Sequence, residues 1–274
     1  MPLEKILITV KTYPTLSSKY DELVCTAGFR EDGNWVRIYP IPFRKLDYES
    51  RYKKYQWIYL ELKRNTSDPR PESFRPVDYD NIQLGDIIGT DNGYWTTRKK
   101  IILKNVYTNI TKLIEESSNK EVCTSLAVFK PKKILDFVIQ EIDREWDKDK
   151  LAKLKARASQ LGLFVTSENP FEVVKKVPYK FSYKFIDDED RESTLMIEDW
   201  EICQLYWNCL KRKEGNERLA CEDVKQKYFD DFVLTKDLYL YLGTTRAFHF
   251  IAPNPFLIIG TFHPKKEIQK SLFR

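Results

Sequence analysis

Residues 22–40 read ELVCTAGFREDGNWVRIYP, two runs of strand-forming residues joined through Asp32-Gly33. β-Branched and aromatic side chains suit a pleated surface, and Asp-Gly supplies the positive φ that a tight hairpin turn demands. The stretch predicts a β-hairpin. Working outward, KILITV (5–10) before it and YQWIYLELK (55–63) after it read as further strands. IQLGDIIGT (82–90) and KKIILKNVYT (99–108) predict two more around the turn TDNGYW (90–95). NTSDPRPESFRPVD (65–78) has three prolines between 69 and 76 and predicts no central strand.

The chain changes character after about residue 108. TNITKLIEESSNK (108–120) predicts a helix, and Pro131 with Ile134, Leu135, Val138 and Ile142 predicts another. DKDKLAKLKARASQLG (147–162) predicts a basic helix ended by Gly162. VPYKFSYKFI (177–186) alternates strictly, setting Tyr179, Phe181, Tyr183 and Phe185 on one face, with STLMIE (193–198) as its hairpin partner. Glu198, Asp199 and Glu201 open a helix that Lys211, Arg212 and Lys213 close, a pattern that complements the helix dipole. DLYLYLG (237–243) and PFLIIGTF (255–262) are late strands, and LGTTRAFHFIAPNPF (242–256) reads as the loop between them, with an anion-binding turn of Gly243, Thr244, Thr245 and Arg246 near His249 as the alternative. The fold class is α+β: a β-rich, barrel-like domain over 1–115, then a mixed helix and antiparallel-sheet domain over 123–274.

Composition narrows the function. Of 274 residues 42% are hydrophobic and 14% aromatic, enough for a core without metal or disulfide staples. The 46 basic and 41 acidic residues leave a net charge of +5, compatible with nucleic acid only if the charge clusters. Cys25, Cys123, Cys203, Cys209 and Cys221 form no C-x-x-C pair. With only His249 and His263 available, the expectation is no metal, no disulfide and reduced thiols. His263 reads as a surface residue. MPLEKILITVKTYP (1–14) lacks the apolar length of a signal peptide and no run is long enough for a membrane span, so the expectation is a cytoplasmic protein without a membrane partner.

Two surfaces combine aromatic and basic residues. In a strand, Trp35, Arg37 and Tyr39 share one face and Val36 and Ile38 the other. With the aliphatic pair in the core, the aromatic–Arg–aromatic row faces outward, close to Arg44 and Lys45, and suits base stacking and phosphate pairing. DNGYWTTRKK (91–100) adds Tyr94, Trp95, Arg98 and Lys99 on a loop. The alternative packs Trp35 and Tyr39 beneath a neighbouring loop, and makes the second stretch a hairpin with a basic edge. The segment IQLGDII (82–88), through Leu84, Gly85 and Asp86, resembles the Gly-Asp turn in the small β-barrels of PUA and ASCH domains. That resemblance implies recognition of modified or unpaired bases and transfers no site residue. As a whole the chain resembles uncharacterised bacterial proteins of mobile elements and defence clusters.

The leading expectation is therefore a protein that binds single-stranded or modified nucleic acid, without a cofactor. Two other readings stand beside it. Asp47 upstream of Glu61-x-Lys63 is similar to the metal-dependent PD-(D/E)xK nucleases, in which the acids would hold Mg²⁺ and the lysine would steady water or phosphate. Alternating charge on a solvated strand explains the same residues without chemistry. The third reading is a protein–protein adaptor. A cysteine–histidine pair also stays open, with nothing in the sequence to nominate one cysteine over another.

Overall fold

The computed structural model describes residues 2–17, 21–43, 46, 49, 51–149, 151–152 and 174–267. The alternating front half forms β1 (Glu4–Lys11), β2 (Thr15–Ser17), β3 (Asp21–Phe29), β4 (Trp35–Ile41), β5 (Gln56–Leu60), β6 (Leu62–Arg64), β7 (Ser73–Pro76) and β8 (Gln83–Ile87). They make one sheet in the order β6-β7-β4-β3-β1-β5-β8, with β2 on β3, curled into a half-barrel. The β3–β4 hairpin turns where Gly33 takes a φ of +89°, the conformation the Asp-Gly signal anticipates. Ile6, Ile8, Val36, Ile38, Ile58 and Leu60 line the concave face with Phe43 and Tyr52.

This sheet is buried on both sides, and a register irregularity in β1 helps make it so. Ile6 and Ile8 point into the concave core, and strict alternation would send Val10 after them. The pairing of β1 with β3 slips between Ile8 and Val10, which turns Val10 to the convex face beside Ala27 and Phe29. One extra residue inverts every later side chain.

The convex face packs on a second sheet, β15-β14-β10-β9, built from β9 (Val106–Tyr107), β10 (Leu126–Phe129), β14 (Tyr239–Thr244) and β15 (Phe256–Phe262). Tyr241, Ile259 and Phe262 meet Val10 and Phe29 there. A third sheet, β11 (Lys133–Glu141), β12 (Tyr179–Ile186) and β13 (Glu192–Met196), packs with helices α2 (Ile110–Ser118), α3 (Trp200–Arg212) and α4 (Glu217–Lys225) around the largest core. Phe181, Tyr183 and Phe185 are buried in it and Tyr179 partly so. Asp199 caps α3 by accepting from the Glu201 amide at 3.2 Å.

Four sequence expectations are corrected. Within 131–142, Lys133–Glu141 form strand β11 rather than a helix: a register slip between Ile134 and Asp136 places Ile134 and Phe137 opposite Phe185 and Tyr183, so the buried spacing imitates a helix. KKIILKNVYT supplies the end of helix α1 (Thr96–Ile102) and the short β9, because Trp95, Arg98 and Ile102 are the buried residues at three-to-four spacing. The proline-rich stretch supplies β7, flanked by β6 and β4, with Pro69 and Pro71 ahead of the strand and Pro76 at its end. His263 is no surface residue; it stacks on Phe232 at 3.7 Å and faces Trp95 at 4.9 Å. The basic helix expected at 147–162 lies largely outside the described residues.

Two outcomes follow. Phe181→Ala should lose about 3–5 kcal/mol of stability by denaturant unfolding, as deletions of buried Phe do; an unchanged midpoint would mean the face is displayed. Burial first, and then the charges of Lys54 and Lys227, push His263 down to about 3 from its ordinary 6.5. The neutral ring thus contributes stability that is complete above 6.5 and lost as pH falls from 6.5 toward 3. The difference in stability between wild type and His263→Phe should change by about 1.4 kcal/mol per pH unit across that window. A flat difference would contradict the burial of a neutral ring.

Candidate functional site

Between the half-barrel and the second sheet lies a cavity of about 590 Å³, within the roughly 300–1,000 Å³ of small-molecule clefts. Four guanidinium groups line it: Arg37 from β4, Arg70 and Arg75 around β7, and Arg246 after β14. The opposing carboxylates are Asp68 and Glu198. Tyr39 supplies an aromatic wall, and Leu257 and Ile259 of β15 an apolar floor.

Two of the arginines are built into the frame. Arg37, only 2% exposed, crosses between the sheets and donates from Nη1 to Ser125 Oγ at 2.7 Å and from Nη2 to the Ser125 carbonyl at 3.1 Å. Glu72 completes the link, accepting from the Ser125 amide and hydroxyl at 3.0 Å each. Arg70 forms a bidentate pair with Asp68 at 2.9 and 2.6 Å and donates onward to the Thr244 carbonyl. Burial opposes ionisation of Asp68, but the bonds from Arg70 and Ser73 outweigh it and hold its carboxyl well below the usual range. Burial first, then repulsion from Arg70, depresses the Arg37 guanidinium. The interior is thus rich in positive charge.

Other groups are freer to meet a ligand. Arg246 is exposed at the cavity mouth, and half-buried Arg75 donates from Nη2 to Asn65 Oδ1 at 3.1 Å. Burial raises Glu198 from its ordinary carboxyl value. An exposed arginine and a half-buried one beside an aromatic wall can hold an anion and a planar group together.

The outward row expected of β4 is corrected by this geometry. Val36 and Ile38 do face the concave core, but the opposite face is covered by the second sheet. Trp35 is half-buried against Phe29 at 3.9 Å and Tyr241 at 5.7 Å, Arg37 is buried, and Tyr39 looks into the cavity. Trp95 is packed between Tyr55 and Phe262 at 5.3 and 5.0 Å. Arg98 is buried as well, donating twice to the Ile88 carbonyl at 3.0 and 2.6 Å, with its guanidinium over the Tyr55 ring. Tyr94 is exposed, and Lys99 pairs with Glu267 at 2.8 Å. The expected surface therefore breaks up: among the described residues Arg37 and Tyr39 meet in the cavity, and Trp95 and Arg98 pack on each other away from it. Arg44 and Asp47 lie outside the described residues. Glu61 falls at the break between β5 and β6, and Lys63 is exposed on β6. Gly85 and Asp86 lie within strand β8 rather than in a turn. Among the described residues no group of three or more His, Cys, Asp or Glu could hold a metal, all five cysteines are free thiols, and no helix is long and apolar enough to cross a membrane.

Sequence reasoning named Arg246 in an anion-binding turn, the less favoured reading of its loop, and missed Arg70 and Arg75. The signal available was the alternation of proline and arginine in DPRPESFRP, which fixes a loop while loading it with guanidinium groups.

Family comparison matches the two halves separately. Residues 2–104 match a domain of unknown function, DUF8758, and residues 106–274 match another, DUF8757. The chain belongs to the DUF8757 family. Both matched regions contribute to the cavity, Arg37, Arg70 and Arg75 from the first and Glu198 and Arg246 from the second. No curated protein matches the chain. Among solved structures, a murine DNA-binding protein bound to double-stranded DNA overlaps 99% of this chain and 100% of its own at 9% identity and a TM-score of 0.31, too slight a likeness to inform fold or ligand.

Because Asp68 is the direct ionic partner of buried Arg70, Asp68→Asn should destabilise the protein by about 3–5 kcal/mol, the cost of stranding a buried charge. Denaturant titration checks this. A loss below about 1 kcal/mol would show that Arg70 finds solvent or another partner.

Proposed function

We propose that this protein binds nucleic acid by taking one unpaired nucleotide into the cavity between its two sheets. The reading rests on a recess of nucleotide-compatible size that sets four guanidinium groups around one aromatic wall. Arg246 and Arg75 meet phosphate at the mouth, Tyr39 stacks on the base, and the Glu198 carboxylate accepts from the exocyclic or ring N–H groups of its edge. Unpaired bases are bound in this way, by stacking and by bonds to edges that a duplex conceals. Arg37 and Arg70 do not supply the contact charge; they hold the walls and bias the interior against cations.

Fluorescence anisotropy with single-stranded and duplex oligonucleotides at several salt concentrations tests the proposal. Single strands should bind more tightly. Arg246→Ala should weaken all sequences and reduce the slope of log affinity against log salt by about one. Tyr39→Ala should cost about 1–3 kcal/mol with the slope nearly unchanged, since stacking releases few counterions. Trp35→Ala should lower the melting temperature instead, being packed against Phe29 and Tyr241. Salt-dependent binding that is absent, or indifferent to both Arg246 and Tyr39, would sink the proposal.

A further inference from the structure

Behind the cavity wall, Cys123 Sγ lies 3.2 Å from His249 Nε2, and His249 Nδ1 lies 2.8 Å from Thr244 Oγ1. These residues come from three places in the chain: the loop after α2, the loop between β14 and β15, and the end of β14. Cys123 holds a φ of +52°, a left-handed conformation that a non-glycine residue keeps only where its surroundings impose it. The thiol and imidazole are 4% and 2% exposed. The residues flanking them in the chain are large, apolar and exposed: Val122 46%, Phe248 60% and Phe250 48%. Phe250 meets the His249 ring at 4.4 Å.

We infer that Cys123 and His249 form a nucleophile–base pair, oriented by Thr244, that accepts an apolar acyl group from an activated ester or thioester. A thiol, a base within hydrogen-bond reach and a third group holding the base are the parts that thiol acyl transfer needs. An Nδ1–H donated to Thr244 leaves the Nε2 lone pair facing the thiol. Burial raises Cys123 and, with the charges of Arg70 and Arg37 added, lowers His249, so the resting pair is neutral. The proton therefore moves during attack. Sulfur bonds to the acyl carbon as the thiol proton passes to Nε2, and the bond from that carbon to the leaving oxygen or sulfur breaks. The departing anion takes the proton from Nε2 or leaves it to solvent, which returns a neutral imidazole beside an S-acyl cysteine. The loop from Thr245 to Asn254 must shift to admit the reagent. Among the described residues its backbone turn is closed by short-range bonds, from Phe248 to Thr245 and from Ile251 and Ala252 to Phe248. Val122, Phe248 and Phe250 then cover the chain of the acyl group, which commits the site to an apolar one.

The probes are p-nitrophenyl octanoate and p-nitrophenyl acetate, read by nitrophenolate release and by mass spectrometry of cysteine peptides. Wild type should gain one octanoyl group on Cys123, at least tenfold faster than acetyl. Cys123→Ser should abolish the addition. His249→Ala should slow it at least tenfold, with rate returning on addition of imidazole, a rescue that a purely structural histidine would not give. Melting curves accompany each variant; if His249→Ala does not fold, Thr244→Val, which frees the ring to rotate, should slow the wild-type reaction severalfold. Octanoylation that follows exposure, favouring the half-buried Cys25 and Cys203, overturns the inference. So does a folded His249→Ala or Thr244→Val variant reacting at the wild-type rate, and equal octanoyl and acetyl rates overturn the assignment to an apolar chain.

Discussion

The structure hangs on one charged side chain taken out of water. Arg37 leaves the half-barrel, reaches Ser125 just ahead of β10 in the second sheet, and is neutralised at one remove by Glu72. Removing a guanidinium from water costs several kcal/mol, recovered only if its donors find acceptors. That requirement fixes the distance between the sheets where they would otherwise slide on apolar contacts alone. Arg70 repeats the device nearby, binding Asp68 on its own loop and the Thr244 carbonyl on the far sheet.

These bridges also explain why a cavity persists between two packed layers. Leu, Ile and Phe would interdigitate and close the gap, as they do around Tyr241 and Phe262. Guanidinium groups held by directional bonds cannot collapse into one another, so the charged end of the interface stays open while the aromatic end is filled. Thr244 stands at the junction of both candidate sites. Its side chain meets His249, its carbonyl takes Arg70, and the residue lines the cavity. A change in the cavity therefore has a short covalent and hydrogen-bonded route to the Cys123–His249 pair.

Much of the secondary structure was legible in local chemistry. Asp32-Gly33 marks a hairpin because few other residue pairs tolerate its backbone, and the aromatic alternation of 179–185 marks a strand with one buried face. Misreadings arose where a residue's partner lay outside the segment. The slip in β11 is written in its pairing with β12, and it shifted buried residues to a helical spacing. Arg98 was read as a displayed cation because nothing local reveals the Ile88 carbonyl and Tyr55 ring that bury it.

By itself, the sequence determined the α+β class, most of the strands and the core-facing side of β4, since backbone preference and side-chain periodicity act over a few residues. Only the tertiary structure decided what covers the other face. Trp35, Arg37 and Tyr39 point the same way in any β4 strand, but whether they meet water or a second sheet depends on residues near 125 and 244. Likewise Cys123 and His249 are 126 positions apart. Their encounter is a property of how two sheets stack, and stacking is set by long-range burial and buried charge, which no local pattern encodes.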